Sequence, residues 1–103
     1  MTEPSPLPHP ERDAIELTAV LFALSDEARL ALVRQLSNGP LDMVDCLALG
    51  VNTPKSSRSH QVKVLREAGV IISELRGRRR QLTLRRSDLD SRFPGLLEAV
   101  LGA

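Results

Sequence analysis

Apolar residues recur at helical spacing over most of this chain, and the pattern divides it into successive helices. A first helix is predicted over residues 11–24, where the apolar positions form two stripes instead of one. A second is predicted over residues 25–36, with a serine as its cap and a Ser-Asn-Gly-Pro stop after it. A short third helix over residues 41–50 and a fourth over 53–68, opened by a Thr-Pro pair, complete this half of the chain.

After Gly69 the period changes from helical to alternating, which predicts a β-hairpin with Gly77 at its turn. The tip, residues 76–80, reads Arg-Gly-Arg-Arg-Arg and is too highly charged to be buried. One face of the hairpin is expected to carry Ile71, Ser73, Leu75, Arg80, Leu82 and Leu84.

The C-terminal segment is predicted to be helical with a break. Ser87 is placed to cap its first part, Pro94 and Gly95 interrupt it, and residues 96–101 form a short apolar helix. The predicted fold class is therefore mainly α with a small β-hairpin.

Alternating prolines disfavour a helix at the N-terminus. They stand at Pro4, Pro6, Pro8 and Pro10. An extended, mobile arm is thus predicted over residues 1–10, followed by a single domain over residues 11–103.

Charge is segregated along the chain, although the formal net charge is only +1. Residues 54–86 hold ten basic and two acidic residues, a net charge of +8. The remainder holds four basic and eleven acidic residues, a net charge of −7. Such a dipolar molecule is expected to attract a polyanion to its basic side.

Composition argues against several classes of protein. No apolar run reaches membrane-spanning length and the N-terminus lacks the regions of a secretory signal, so a cytoplasmic protein is expected. Cys46 is the only cysteine, which excludes an intrachain disulfide or a cysteine pair that binds zinc. The absence of Trp and Tyr argues against base stacking on single strands. No nucleophile has an evident base beside it, so an enzyme is not expected.

The fourth predicted helix is suited to reading base edges in a DNA major groove. With Val62 and Leu65 facing inward, a rotation of about 100° per residue places Ser57 and His60 nearly opposite. Glutamine can pair with adenine, and serine or histidine with several bases. The candidate base contacts from this geometry are Ser56, Ser57, His60 and Gln61.

Basic residues beside these positions are candidates for phosphate contacts, which fix register and supply most of the affinity. On the helix they are Lys55, Arg58, Lys63 and Arg66. On the hairpin they are Arg76, Arg78, Arg79 and Arg80. The hairpin tip suits an adjacent minor groove, where the negative potential is deepest over A·T-rich tracts.

The first and last helices carry more apolar surface than a core of this size can cover, which predicts a homodimer. The expected interface residues are Leu17, Val20, Leu21, Leu24, Leu96, Leu97, Val100 and Leu101.

The order of these elements is that of a winged helix-turn-helix. The stretches "LFALSDEARLALVRQL" (21–36), "SSRSHQVKVLREAGVI" (56–71) and "GRRRQLTL" (77–84) resemble the ArsR/SmtB family of bacterial winged-helix repressors over roughly residues 14–101. The resemblance implies a homodimer that binds an inverted repeat in an operator and releases it on a signal. It also implies a recognition helix with Ser56, Ser57, Ser59, His60 and Gln61, and a wing with Arg78, Arg79 and Arg80.

The chain departs from the family's metal-sensing patterns. Family members that sense soft metals carry a Cys-x-Cys pair in the third helix, whereas this chain has only Cys46, whose expected role is core packing. The last segment has aspartates but no histidine, and the turn before the fourth helix is about two residues longer than usual. Helix capping and dipole effects explain Asp42, Asp45, Asp88 and Asp90. No metal or cofactor is therefore predicted.

Together these features predict a dimeric, sequence-specific regulator that represses transcription from double-stranded DNA. A solvated hairpin tip alone would not account for a block with a net charge of +8. The alternative is a winged-helix module whose basic face docks an acidic protein partner.

Overall fold

The computed structural model describes residues 8–43 and 55–102. Its helices are α1 (Leu17–Leu24), α2 (Glu27–Leu36), α3 (Lys55–Ala68), α4 (Arg86–Arg92) and α5 (Leu96–Leu101), with a 3₁₀ turn at Arg12–Ala14. Its strands are β1 (Leu41–Asp42), β2 (Ile71–Arg76) and β3 (Arg79–Leu84). None of the described helices has the length and apolar character that a bilayer span requires.

The three strands form one antiparallel sheet in the order β1-β3-β2. The β2–β3 hairpin has the predicted turn and the predicted face, since its register sets Ile71 opposite Leu84 and Ser73 opposite Leu82. Gly77 has φ +66° at the first position of a two-residue turn, where a type II′ turn favours glycine.

Strand β1 replaces the start of the predicted third helix. Leu41 and Asp42 pair with Leu82 and Gln81 of β3 instead of forming the first turn of a helix. This pairing gives β3 a partner on its second edge, where its backbone groups would otherwise need water. The remainder of that predicted helix, residues 44–50, and the predicted Thr-Pro start of the next one, residues 53–54, lie outside the described residues.

A single apolar core joins the helices to the sheet. Its largest fully buried side chains are Ile15, Val20, Leu32, Val33, Leu65, Val70, Ile71, Leu82, Leu89 and Leu97. Helix α3 packs against α1, α2 and β2, and buries Val62 and Leu65. One face of α3 therefore belongs to the core, which directs the opposite face to solvent.

Helix α1 begins at Leu17, six residues later than predicted. Residues 12–14 make only a 3₁₀ turn, and the backbone at Ile15 and Glu16 is extended. This extended link carries the Ile15 side chain into the core and turns its carbonyl towards Arg92, whose guanidinium donates to it. Burial of Ile15 thus outweighs the helical tendency of the preceding residues.

Two predicted caps are also corrected. The cap of α2 is Asp26, whose Oδ2 accepts from the backbone N–H of Arg29 at 3.0 Å. Ser25 instead donates from Oγ to the carbonyl of Phe22 at 2.7 Å. Helix α4 begins at Arg86, two residues after the end of β3 at Leu84. Its N-cap position is Arg85, so Ser87 lies within the helix and is not its cap.

His9 and Pro10 contact the domain, although the sequence predicts a mobile arm through residue 10. The backbone N–H of Ser73 donates to Nε2 of His9 at 3.1 Å, and Arg85 donates to the carbonyl of Pro10 at 2.7 Å. Because β2 lies at the edge of the sheet, the arm supplies a partner for an outward-facing strand group. Residues 1–7 lie outside the described part of the chain.

Gly69 ends α3 at the point where this arm crosses it. Its φ is +88°, a backbone conformation that residues with a side chain rarely adopt. A Cβ there would lie 2.7 Å from Cγ1 of Ile15 and 3.2 Å from Cγ of Pro10. Glycine is thus required both by the backbone angle and by the close approach of two side chains.

Replacing Gly69 by alanine is expected to destabilise the fold by more than backbone strain alone, which costs about 1–3 kcal/mol. Gly95→Ala is the matched control, because Gly95 has φ +84° but no atom within 4 Å of the added Cβ. Urea unfolding should give a larger loss for Gly69→Ala than for Gly95→Ala. Equal losses would show that the contact with Ile15 is unimportant.

Candidate nucleic-acid interface

The N-terminal half of α3 presents short polar side chains to solvent. Val62 and Leu65 are buried, and the helical rotation places Ser57 and His60 on the other side, where both are exposed, as the sequence predicts. The exposed candidates on this helix are Ser57, Ser59, His60 and Lys63. The side chains of Lys55 and Ser56 lie outside the described part of the structure.

Gln61 lies at the edge of this face and is half-buried. Its Oε1 accepts a hydrogen bond from the guanidinium of Arg29 in α2, at 2.7 Å. Arg29 is not among the site residues predicted from the sequence. The available signal is its spacing, since it precedes the buried Leu32 and Val33 by three and four residues and so shares their face.

Two predicted phosphate contacts face away from this surface. The Arg66 side chain is only 10% exposed, and its nearest carboxylate, on Glu67, is 3.8 Å away. Arg58 is half-buried. The Nε atoms of both arginines are buried without a hydrogen-bond partner among the described residues. Both lie four residues from the buried Val62, so helical geometry turns them towards the core.

The hairpin tip exposes three arginines, Arg76, Arg78 and Arg79. Arg79 forms an ion pair with Asp42 of β1 at 3.2 Å, and Arg76 pairs with Glu74 at 3.6 Å. The Arg76–Glu74 pair is exposed at both ends, and ion pairs of this kind contribute about 0–1 kcal/mol, whereas the side chain of Asp42 is only 18% exposed. Arg76 can therefore exchange its carboxylate partner for a phosphate at little cost.

Arg80 differs from the other arginines of the hairpin. It is half-buried and turns back to the sheet, where it donates to the carbonyl of Ser73 at 3.4 Å. Opposite it in the register stands Leu75, which is 55% exposed. The tip thus combines three exposed arginines, two of them in ion pairs, with one exposed apolar side chain.

Helix α3 and the hairpin form one body. Only Gly69 and Val70 separate them, and the backbone N–H of Val70 donates to the carbonyl of Leu65 at 3.0 Å. Helix α3 also packs against β2. The polar face of the helix and the arginines of the hairpin therefore keep a fixed relation to each other.

The arrangement matches known proteins in sequence and structure. The chain is 34% identical over 88 residues to YceK of Bacillus subtilis, an uncharacterized HTH-type transcriptional regulator, and the match covers 82% of this chain and 87% of YceK. A crystal structure of an ArsR family transcriptional regulator has the same fold, with a TM-score of 0.67 at 23% identity over 81% of this chain and 90% of that one. The chain belongs to the ArsR family of helix-turn-helix transcriptional regulators.

A second ArsR family relative is the HTH-type transcriptional regulator NmtR of Mycobacterium tuberculosis, which is 38% identical over 65 residues. That match covers 63% of this chain and 53% of NmtR, about half of its length. The solution structure of apo-NmtR gives a TM-score of 0.52 at 32% identity, over 89% of this chain and 79% of that one. No family model matches the chain.

Membership of the ArsR family confirms three predictions from the sequence. The fold is a winged helix-turn-helix, with β1 as an addition to the expected hairpin. The protein is of a DNA-binding, transcription-regulating class. The family is not enzymatic, in agreement with the expectation that this chain is not an enzyme.

The residues predicted for subunit contact divide into buried, exposed and half-buried groups in this ArsR family chain. Val20, Leu24 and Leu97 are buried in the chain's own core, because each faces its neighbouring elements, and are not available to a partner. The exposed apolar surface on α1 comes from the predicted contacts Leu17 (44%) and Leu21 (45%) and from Phe22 (65%), which was not predicted. On α5, the predicted contacts Leu96, Val100 and Leu101 are half-buried.

Among the described residues, no group of three or more His, Cys, Asp or Glu side chains is placed to hold a metal ion. Asp42 and Asp88, which the sequence assigns to helix starts, pair with Arg79 and Arg85. Positions 45 and 46 lie outside the described residues. That this ArsR family member works without a metal or cofactor stays a prediction.

Proposed function

We propose that this ArsR family member binds double-stranded DNA in a sequence-specific manner and represses transcription. The observation that supports it most is the division of α3, which buries Val62 and Leu65 while exposing Ser57 and His60 beside a wing of arginines. A helix of this kind, held from behind, can lie in a major groove with its N-terminal residues on the base edges.

The two parts of the surface have different roles in this proposal. Ser57, Ser59, His60 and Gln61 contact base edges. The contacts predicted from the sequence for Lys55 and Ser56 are part of the proposal, although these side chains lie outside the described part of the structure. Lys63 contacts a phosphate. The wing arginines, Arg76, Arg78 and Arg79, lie along a minor groove and its phosphates. The buried Arg66 and the inward-turned Arg58 and Arg80 take no direct part.

The proposed active form is a homodimer. Leu17, Leu21 and Phe22 leave a contiguous apolar face on α1, at i, i+4 and i+5, that a second copy can cover. The half-buried apolar residues of α5 are included in the proposed interface as a second apolar surface. A dimer with two-fold symmetry reads an inverted repeat, whose half-sites lie about one helical turn apart or a multiple of that.

Repression, the location and the absence of a cofactor complete the proposal. The neighbour BigR of Xylella fastidiosa, with a TM-score of 0.61 at 21% identity over 82% of this chain and 84% of that one, is described as a transcriptional repressor. A regulator that covers an operator must share the compartment of bacterial DNA, which is the cytoplasm. The single cysteine of the sequence leaves no Cys-x-Cys pair for a soft metal.

Selection from a pool of randomised duplexes tests the proposal. The full chain should enrich an inverted repeat and bind it more tightly than random DNA by about 10³-fold or more. Equal binding of all duplexes would contradict sequence-specific regulation. If no duplex bound at all, the basic face would instead suit an acidic protein partner.

Lys63→Met should weaken binding to selected and random duplexes alike and reduce the salt slope by about 0.9 per half-site, because one phosphate contact is lost. Arg66→Met is the matched control, since it removes the same charge from a buried position on the same helix. Titrations at salt concentrations from about 50 to 200 mM measure both slopes, because binding through phosphate contacts weakens steeply over this range. A larger effect of Arg66→Met would refute the assignment.

His60→Ala should instead relax the preference at one position per half-site, at a cost of about 1–3 kcal/mol on the selected sequence. Binding to random duplexes should stay the same, because His60 is assigned to a base edge. Competition between selected duplexes with single changes measures the effect. A uniform loss on every duplex would place His60 on the backbone.

Leu21→Asp should dissociate the dimer, because association would bury an unpaired carboxylate. Leu21 is 45% exposed within the chain, so the substitution leaves the core intact. Leu75→Asp, at a position on the wing that is 55% exposed, is the control and should remain dimeric. Analytical ultracentrifugation distinguishes the two, and a dimeric Leu21→Asp variant would rule out the α1 interface.

A further inference from the structure

Arg29 joins three helices through a buried guanidinium. Its side chain is in the second helix, and the residue is only 8% exposed. Nε donates to the carbonyl of Ala23 at 2.7 Å, and a terminal nitrogen donates to the carbonyl of Phe22 at 3.3 Å. The other terminal nitrogen donates to Oε1 of Gln61 at 2.7 Å.

The charge of Arg29 is stabilised by dipoles and not by a carboxylate. None of the four ion pairs among the described residues involves it. The carbonyls of Phe22 and Ala23 lie at the C-terminal end of α1, where the helix dipole is negative. The Phe22 ring adds a cation–π contact, with its centroid 5.4 Å from the guanidinium carbon.

The backbone of Arg29 is held as firmly as its side chain, because its N–H is capped by Asp26 at 3.0 Å. A guanidinium anchored in this way has little freedom to move with the Gln61 side chain. The hydrogen bond therefore holds Gln61 in place relative to Arg29.

The chemistry of the pair also fixes which way the carboxamide points. Arginine has only donors, so the atom of Gln61 that faces it must be the oxygen. The NH₂ group of Gln61 is then directed away from Arg29. A half-buried glutamine held in this orientation offers donors to whatever lies in front of α3.

We propose that Arg29 is a positioning residue that presents Gln61 to DNA as a hydrogen-bond donor, and so determines the base accepted at one position of each half-site. The inference rests on the proposed function. It narrows the expectation from the sequence, because bidentate pairing with adenine uses both the oxygen and the NH₂ group of a glutamine, and Arg29 already occupies one lone pair of that oxygen. With Oε1 held by Arg29, the NH₂ group complements the acceptors of guanine (O6 and N7), thymine (O4) or adenine (N7), and cytosine, which presents only a donor, is disfavoured.

The test compares the wild-type chain with Arg29→Met, Gln61→Ala and the double variant. The probes are duplexes selected from a randomised pool by the wild-type chain, each then changed to all four bases at every position. We expect a preference of about tenfold for guanine or thymine over cytosine at one position, which both single variants lose. The double variant should lose no more than either single variant, because the residues act as one unit.

Arg34→Met is the matched control, since Arg34 is an exposed arginine on the same helix. It should leave the preference at every position unchanged. The inference is overturned if Arg29→Met keeps the wild-type preference, lowers it equally at all positions, or adds its effect to that of Gln61→Ala.

Gln61→Glu supplies a second measurement that leaves the buried Arg29 in place. One carboxylate oxygen accepts from Arg29 and the other faces the base, so the preferred base should change to cytosine, which donates from N4. Circular dichroism and thermal unfolding verify that each variant folds. A Gln61→Glu chain that gains no preference for cytosine contradicts the inference.

Failure of the inference can be separated from failure of the proposed function. If the wild-type chain enriches no sequence from the pool, sequence-specific binding is wrong and the role of Arg29 falls with it. If the wild-type chain enriches a sequence but Arg29→Met and Gln61→Glu leave its preferences unchanged, only the role of Arg29 is wrong.

Discussion

The burial of one face of α3 is the constraint on which the rest of the structure depends. Val62 and Leu65 fix the rotation of this helix, because turning it would bring polar side chains into a core that α1, α2 and β2 complete. Rotation in turn decides which side chains reach solvent. His60 and Lys63 do so, whereas Arg66, four residues beyond Val62, does not. Core packing thus selects the residues that are available to a ligand.

The same constraint reaches the wing through Gly69. A positive φ lets the chain leave α3 and enter β2 within two residues, and the absent Cβ lets Ile15 and Pro10 close over the junction. Arg85 then ties the end of β3 to Pro10 by a bond of 2.7 Å. The base of the hairpin is therefore embedded in the domain, while its tip carries charge outside it. A wing that is fixed at its base holds its arginines in a defined place relative to α3.

Much of the fold could be predicted from the sequence, because helical and alternating periods record which side chains meet the core. The two faces of the hairpin and the inward face of α3 are of this kind. The late start of α1 could not be predicted from the sequence, because it depends on Ile15 filling a space beside Gly69. These two residues are far apart in the chain. Strand β1 depends in the same way on a free edge of β3. Local patterns carry no information about such pairings.

The candidate site could be located from the charge pattern but not resolved residue by residue. Arginines look alike in a sequence, yet Arg66 is buried, Arg80 is folded back and Arg78 is exposed. Arg29 lay outside the basic block and had no signal except its place on the buried face of α2. Its contact with Gln61 joins residues 32 positions apart. A role that consists in holding another side chain is visible only when both are placed in space.

The net charge of +8 over residues 54–86 overstates the cationic surface that DNA can meet. Arg85, within that block, is buried and neutralised by Asp88 at 3.0 Å. Among the described residues of α3 and the wing, four cations are exposed: Lys63, Arg76, Arg78 and Arg79. Two copies would then neutralise about eight phosphates, for a salt slope of roughly −7. A phosphate contact needs an exposed cation, so the affinity of the complex depends on the exposed members of α3 and the wing and not on the net charge of the whole block.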